Sequence, residues 1–405
     1  MPWRELSAMA QREELVRLAL AQRANRSALC QRFGISRATF YKWLKRYQGE
    51  GRAGLAERSR RPRHSPERTP DAVATVVLQI RAANNGAWGG RKIAAAMKRA
   101  GLRTVPAAST ITEILRRHDQ LGARAGEHPG PFQRFERAQP NELWQMDFKG
   151  HFALPAGRCH PLTVLDDHSR YALGLEACAD EREPSVRTRL AAIFRRYGLP
   201  FAMVMDNGAP WGERQGRGYT VLTVWLIRLG IHVSHARPYH PQTCGKDERF
   251  HRSLSAEVLA GRSFRDLAHC QHVFDDWRLI YNHQRPHEAL GMGVPAERYR
   301  LSARPFPEML PAIDYAPGDI VRKVHDGGLI SFKNRAWRVG RAFVGLPLAL
   351  RPAGEDGAFT VYFCAQRIGH IDLRAPACGV VDSAEGALPT TPQAPPPPPQ
   401  DQKCN

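Results

Sequence analysis

The chain has 405 residues, 42% of them hydrophobic, which is enough for two to four domains with ordinary cores. Its 59 Lys+Arg against 39 Asp+Glu leave a formal charge of +20, which calls for a polyanionic partner, most simply nucleic acid. The eight cysteines form no CxxC pair, so neither a zinc knuckle nor a redox motif is indicated. No apolar run approaches the ~18 residues of a membrane span. Glu5, Arg12, Glu13 and Glu14 stand where a signal peptide needs its apolar core, so we expect a soluble protein of the cytoplasm, associated with the nucleoid.

Residues 1–50 read as helical, with Leu6, Met9, Leu15, Leu18 and Leu20 at near-helical spacing. Within them, 27–47 reads as a short helix, a turn at Gly34 and a second helix capped by Ser36. Ala28, Leu29, Phe33, Ile35, Phe40 and Leu44 form its expected inner side; Arg37, Thr39, Tyr41, Lys42 and Lys45 stay outside. That is the layout of a helix-turn-helix, whose second helix enters the major groove. An ordinary helical hairpin fits the same pattern, but so many basic residues on one helix favour DNA binding.

Residues 51–70 are a basic linker rich in Gly, Pro and Arg, suited to lying along phosphates or to serving as a solvated tether. The stretch 71–122 is helical again and predicts a second helix-turn-helix-like domain, with Ser109 as N-cap of its last helix and Arg116 and Arg117 near its end. After a connector over 123–140, the texture of 141–300 changes. Three meandering strands (143–149, 158–166, 171–178) precede a helix over 185–197, a buried strand over 201–205, a helix over 221–229 and a strand over 231–235. Two helices, 246–259 and 264–281, close the segment. This order predicts a mixed sheet flanked by helices. Residues 305–375 read as six short strands forming a small β-barrel, and 376–405 as a disordered, Pro-rich tail.

Three acids stand out. Asp147 lies on a strand with Trp144, Met146 and Phe148 on the other face, where a carboxylate is costly unless paired or liganding. Asp206 ends the apolar run 201–205 just before Asn207-Gly208. Glu248 falls in the first turns of a helix that Pro241 and Gly245 delay. Carboxylates on three separate elements can hold two divalent cations for in-line phosphodiester chemistry, and hard oxygen ligands favour Mg²⁺ or Mn²⁺ over zinc. Each acid alone is weak evidence.

The words around them carry more. Leu143-Trp-Gln-Met-Asp147, Leu165-Asp-Asp-His-Ser-Arg-Tyr171, Met205-Asp-Asn-Gly208, Arg237-Pro-Tyr-His-Pro-Gln-Thr243, Gly245-Lys-Asp-Glu-Arg-Phe-His251 and Tyr281-Asn-His-Gln-Arg-Pro-His287 occur in this order. Together they resemble the integrase catalytic core of DDE transposases. The resemblance is to bacterial insertion-sequence enzymes with helix-turn-helix units ahead of that core. It implies a multidomain chain: an all-α N-terminal region, an α/β RNase H-like core with a mixed five-stranded sheet, and a small C-terminal β-barrel. It implies Asp147, Asp206 and Glu248 as catalytic and metal-binding triad, with two Mg²⁺ or Mn²⁺ ions per site. It implies a polynucleotidyl transferase that acts on double-stranded DNA, both element ends and target, as a homodimer or larger assembly. A catalytically silent DNA-binding regulator and a nuclease without strand transfer are the alternatives.

The sequence departs from the family in places. Between Asp206 and Glu248 lie 41 residues, more than the family usually has, and the polar, Gly-rich 211–218 is expected to loop out. Asp247 adds a second acid beside Glu248. Successive helical residues diverge by about 100°, so only one is expected to face the metals, and that one is Glu248. Lys246 and Arg249 are candidate DNA contacts near the scissile phosphate. Asp166, Asp167, Tyr239, His240, His283 and His287 are expected to be structural.

Overall fold

The computed structural model describes residues 7–22, 24–58, 69–121, 136–212, 218–235, 245–354 and 356–374. Half of the first linker, most of the second, Tyr239 and His240 with their motif, and the Pro-rich tail lie outside the described residues. The chain divides into two units, Met1–Arg68 and Thr69–Asn405.

In the first unit, α1 spans Ala8–Ala19, α2 Arg26–Arg32 and α3 Arg37–Glu50. Ser7, Asn25 and Ser36 each accept a backbone N–H at the helix start, so Ser36 is the cap expected. The turn between α2 and α3 passes through Gly34 at φ 61°, a conformation that favours glycine. Leu15, Val16, Cys30, Phe40, Trp43 and Leu55 are buried. Ala28, expected inside, faces solvent; Cys30 takes its place because the inward stripe of this seven-residue helix runs through Leu29, Cys30 and Phe33.

The second unit opens with α4 (Asp71–Ala83), α5 (Gly90–Arg99) and α6 (Ala108–Arg117) around Val77, Trp88, Ile93, Met97, Ile111 and Leu115. A Cβ at Gly90 would meet the Ala108 carbonyl oxygen at 2.3 Å, so α5 and α6 cross closely only because that residue is glycine. The cap of α6 is Ala107, not Ser109. The chain enters through Val105-Pro106, α6 starts earlier than expected, and Ser109 falls inside its first turn without capping it.

The central domain contains β1 (Leu143–Phe148), β2 (Phe152–Ala153), β3 (Arg158–Asp166), β4 (Ala172–Cys178), α7 (Glu183–Tyr197), β5 (Ala202–Met205), α8 (Val221–Arg228), β6 (His232–His235), α9 (Gly245–Leu254) and α10 (Leu267–His283). A π-helical turn, Ser255–Leu259, follows α9. The main sheet runs β4-β3-β1-β5-β6, with β3 antiparallel to β1 and β4, and β5 and β6 parallel to β1. This is the mixed five-stranded sheet expected, with the two-residue β2 added against β3. Alternation splits its side chains between two cores. Trp144, Met146, Leu162 and Val164 pack with Val186, Phe194 and Leu226 of α7 and α8. Cys159, Leu165 and Leu175 pack with Phe250, Leu254, Phe274 and Trp277 of α9 and α10. Trp211, expected in an exposed loop, is buried and stacks on Phe148 with ring centroids 5.4 Å apart.

The C-terminal β domain has β7 (Ile320–Lys323), β8 (Leu329–Phe332), β9 (Arg335–Arg338), β10 (Pro347–Pro352), β11 (Ala358–Phe363) and β12 (Gln366–Asp372). Its strands pair as a four-stranded antiparallel sheet, β12-β11-β10-β7, and a β8-β9 hairpin, over a core that includes Ile330, Trp337, Phe343, Leu350 and Phe363. Among the described residues no helix is long and apolar enough to cross a membrane.

Candidate catalytic site

Two of the expected acids meet at the ends of neighbouring strands. β1 and β5 run parallel with Gln145 opposite Val204, so Asp147 and Asp206, two residues further on, come out side by side. The apolar runs that bury both strands make these positions rigid. Asp147 stands on β1 opposite Thr163 of β3. Asp206 is exposed just past β5 and accepts the Gly208 N–H at 3.1 Å. His235 at the end of β6 bonds the Asp206 carbonyl oxygen at 2.9 Å, which ties the ends of β5 and β6 together.

The field at Asp147 is unfavourable to charge. Burial first, and then the carboxylate of Asp206, push its pKa up to about 6. His251 of α9 lies opposite, its Nδ1 4.0 Å from the Asp147 carboxylate. Thr163 Oγ1 donates its only proton to the Asp147 carbonyl at 2.9 Å, so toward His251 Nε2, also at 2.9 Å, it accepts. Burial holds the His251 pKa down, at about 4, so the ring is neutral with its proton on Nε2. Nδ1 then presents a lone pair toward Asp147, and acceptors face one another across the gap.

The third acid stands differently. Glu248 lies on the exposed side of α9 and pairs with Arg252 at 3.2 Å, both side chains largely in solvent. Asp247 is the α9 acid that turns inward: it is 2% exposed, and its Oδ1 has no hydrogen-bond partner. Burial, with the charges of Asp147 and Asp167 behind it, raises its pKa well above the usual carboxylate range. The helix is oriented by Phe250 and Leu254, which share the Asp247 face and are both buried. Among the described residues no three His, Cys, Asp or Glu side chains stand close enough to hold a metal ion. The pair Asp147–Asp206 nonetheless fits a divalent cation: two hard oxygen donors repel one another, and a lone pair faces them.

The other candidates are accounted for by geometry. Asp166 accepts from Asn141 N, Ser169 N and Ser169 Oγ, and so builds the β3–β4 turn. Asp167 accepts from Arg137 N and Gln145 Nε2 and takes the ammonium of Lys246. Lys246 is therefore engaged with a buried carboxylate, a long-range pairing its sequence neighbours do not reveal. Arg249 is exposed on α9. His287 is buried, with burial and Arg285 holding its pKa down at about 3, as befits a structural loop. In the first unit Arg37, Tyr41, Lys42 and Lys45 are exposed along α3; Thr39 is half-buried and its N–H bonds the Ser36 cap. Sequence reasoning missed His251, whose only signal was its place one turn after Asp247 and Glu248.

Family models match nearly the whole described chain. They are a helix-turn-helix domain over residues 11–63, a homeodomain-like domain over 39–115, integrase core domains over 137–241 and 229–295, and the C-terminal domain of IS481 family transposases over 319–378. The chain carries the domain set of an insertion-sequence transposase with an integrase core.

Proteins of insertion elements are similar to this chain. A 31.7 kDa protein of insertion element IS407 from Burkholderia multivorans is 30% identical over 158 residues, covering 39% of this chain and 55% of that protein. A putative transposase for IS5376 of Geobacillus stearothermophilus is 27% identical over 183 residues, 43% of this chain and 44% of that one. The chain thus spans about half the length of these relatives. Among solved structures, the HTLV-2 integrase catalytic core in complex with magnesium is 14% identical, with a TM-score of 0.32, and the match covers 40% of this chain and 99% of that one. A simian T-cell lymphotropic virus intasome chain matches with a TM-score of 0.34 at 14% identity, over 74% of this chain and 99% of that one.

Proposed function

We propose that this protein is a DDE transposase: it binds the ends of an insertion element, hydrolyses a phosphodiester at each end and joins the freed 3′-OH to target DNA. One observation supports it most. Asp147 and Asp206 stand side by side at adjacent parallel strand ends, where burial, and then the charge of Asp206, raises the Asp147 pKa.

In this reading Asp147 and Asp206 hold Mg²⁺ or Mn²⁺, and Glu248 completes the set as α9 settles on DNA. Its exposed pair with Arg252 is worth little and is readily given up. Bound divalent cations supply charge neutralisation at the scissile phosphate and lower the pKa of the attacking oxygen. The chain's own residues do the rest. The sheet fixes Asp147 and Asp206, Thr163 and His251 hold the floor beside Asp147, and α3 places the DNA. In the first step water attacks phosphorus and the bond to the 3′ oxygen breaks, leaving a 3′-OH. In the second that 3′-OH attacks a target phosphodiester and displaces its 3′ oxygen, with no covalent enzyme intermediate.

The test is a strand-transfer assay on duplexes carrying the element's own ends, with Mg²⁺. Asp206→Asn should bind the ends and neither cut nor join them. A second reading, a DNA-binding regulator without catalysis, draws on the outward Glu248. Wild-type protein that binds the ends but neither cuts nor joins them would favour it.

A further inference from the structure

We propose that the seam between α5 and α9 is a phosphodiester-binding site, with Lys92 as its central cation, that grips the DNA strand between the α4–α6 module and the catalytic carboxylates. This rests on the reading of the chain as a DNA-processing transposase.

The module is fixed to the central domain. The Asn85 side-chain amide donates to the carbonyls of Ala256 and Ala260, at 3.0 and 3.1 Å, in and just past the π-helical turn that extends α9. Arg91 pairs with Glu288 at 3.2 Å and Arg99 with Glu297 at 2.7 Å. Ile280 of α10 packs on the module's core. An element of the DNA-binding region and the helix bearing Glu248 therefore meet at a defined place.

Charge at that place does not balance. Arg91, Lys92 and Arg285 gather there against two carboxylates, Glu257 and Glu288, with the charge of Arg249 also felt by Lys92. Both acids are committed. Glu257 takes Arg285 Nε at 2.8 Å and Trp277 Nε1 at 3.0 Å, and Glu288 takes Arg91. His287 is held neutral by burial and its cationic neighbours. Lys92 is half-buried, and no hydrogen bond or ion pair reaches it among the described residues. It also sits in the first turn of α5, where the helix's own N–H groups already present positive charge. Burial, and then Arg285, bring its pKa down to about 8. A half-buried cation whose neighbouring carboxylates are both taken by other partners is held at a cost. An incoming anion lowers the cost, and where the α4–α6 module meets α9 in a DNA-processing chain that anion is a DNA phosphate.

The experiment uses the full chain and a random-sequence duplex, because a phosphate contact carries no sequence information. Dissociation constants are measured over a salt series for wild type, Lys92→Met, which keeps the apolar stem, and Lys92→Arg. Lys92→Met should bind several-fold more weakly at low salt, with the slope of log K against log salt smaller by about 0.9, the loss of one phosphate contact. Lys92→Arg should restore both. Wild-type affinity should also fall as pH rises past about 8, and that of Lys92→Met should not. An unchanged slope and affinity in Lys92→Met would overturn the proposal while leaving the transposase reading intact. Wild-type protein without affinity for any duplex would defeat that reading itself. If Lys92→Met melts earlier than wild type, Lys92→Gln and Lys92→Arg decide. A slope that follows charge supports the site, and one that is the same in both overturns it. A site for free phosphate would show as wild-type protection by inorganic phosphate with no change of DNA slope, and that too would overturn the proposal.

Discussion

Gln366 of β12 spends both ends of its side-chain amide on one residue of the central sheet: its Oε1 accepts the Val233 N–H at 2.9 Å and its Nε2 donates to the Val233 carbonyl at 2.9 Å. Val233 lies on β6, the edge strand, whose other side pairs with Met203 of β5. A single side chain thus stands in for the missing neighbour strand and covers an edge that is otherwise a template for wrong pairing. Tyr219 against Phe343, with ring centroids 5.3 Å apart, seals the same junction.

Gln366→Ala should therefore leave two buried backbone groups of Val233 unpaired, at a cost of about 1–3 kcal/mol each before water relaxes in. Urea unfolding should show a lower midpoint, and amide exchange at Val233 should rise while that at Met203 changes little. An exchange rate at Val233 equal to wild type would mean the cap is not used in solution.

The exposed face of α3 gives a second expectation. Replacing Lys42 and Lys45 with Ala in the full chain should weaken binding to the element's ends and reduce the salt slope by about two phosphate contacts. The response to Mg²⁺ should not move, because these residues belong to the first unit and the carboxylates to the second. Unaltered affinity for both terminal and random duplexes would remove α3 from the DNA interface.

Periodicity made most of this fold legible. The stretches 158–166 and 201–205 read as strands, the second as a buried one, and both are strands of the covered sheet; Ser36 announced its helix by its own side chain. What stayed hidden depends on contacts distant in sequence. Lys246 reads from the sequence as a candidate DNA contact, and nothing near it in the chain points to Asp167, 79 residues earlier, which takes its ammonium. Trp211 looked like part of a polar loop, though Phe148 waits for it. On α9 the motif favoured Glu248, but helix rotation is set by Phe250 and Leu254, and these turn Asp247 inward instead. A motif gives the order of residues; which of two neighbours faces the site is decided by the apolar stripe.

Stability should depend on pH through Asp147. Its folded pKa of about 6 lies above the unfolded value of about 3.9, so the folded state holds the extra proton and stability is lost as pH rises from about 4 to 6. His251, whose folded pKa is depressed to about 4, acts in the opposite sense over the same window, so the comparison of variants matters more than the raw curve. In EDTA at pH 7, Asp147→Asn should melt about 2–4 °C above wild type, and the difference should vanish near pH 4. Mg²⁺ should stabilise wild type above pH 6 and not the variant. Identical melting of the two proteins at pH 7 would show that Asp147 carries no strain.

The last expectation separates the two acids of α9. Strand transfer with pre-cleaved ends bypasses the first hydrolysis, so it reports directly on the joining step. With Mg²⁺ or Mn²⁺ it should proceed in wild type, and it should be lost in Asp147→Ala and Asp206→Ala because one site is proposed for both steps. Ca²⁺ accepts looser geometry and longer bonds, so it should support binding of the ends and fail in joining them. Glu248→Ala should be inactive although Glu248 points outward in the structure, since its pair with Arg252 is exposed and weak. Asp247→Asn should retain strand transfer and gain thermal stability in EDTA, because it removes a buried carboxylate whose Oδ1 lacks a partner. The reverse pattern, with Glu248→Ala near wild-type rate and Asp247→Asn dead, would make Asp247 the third acid and leave Glu248 a surface charge. Joining that survived the loss of Asp147 or Asp206, or ran at full rate in EDTA, would rule out a shared carboxylate–metal site altogether.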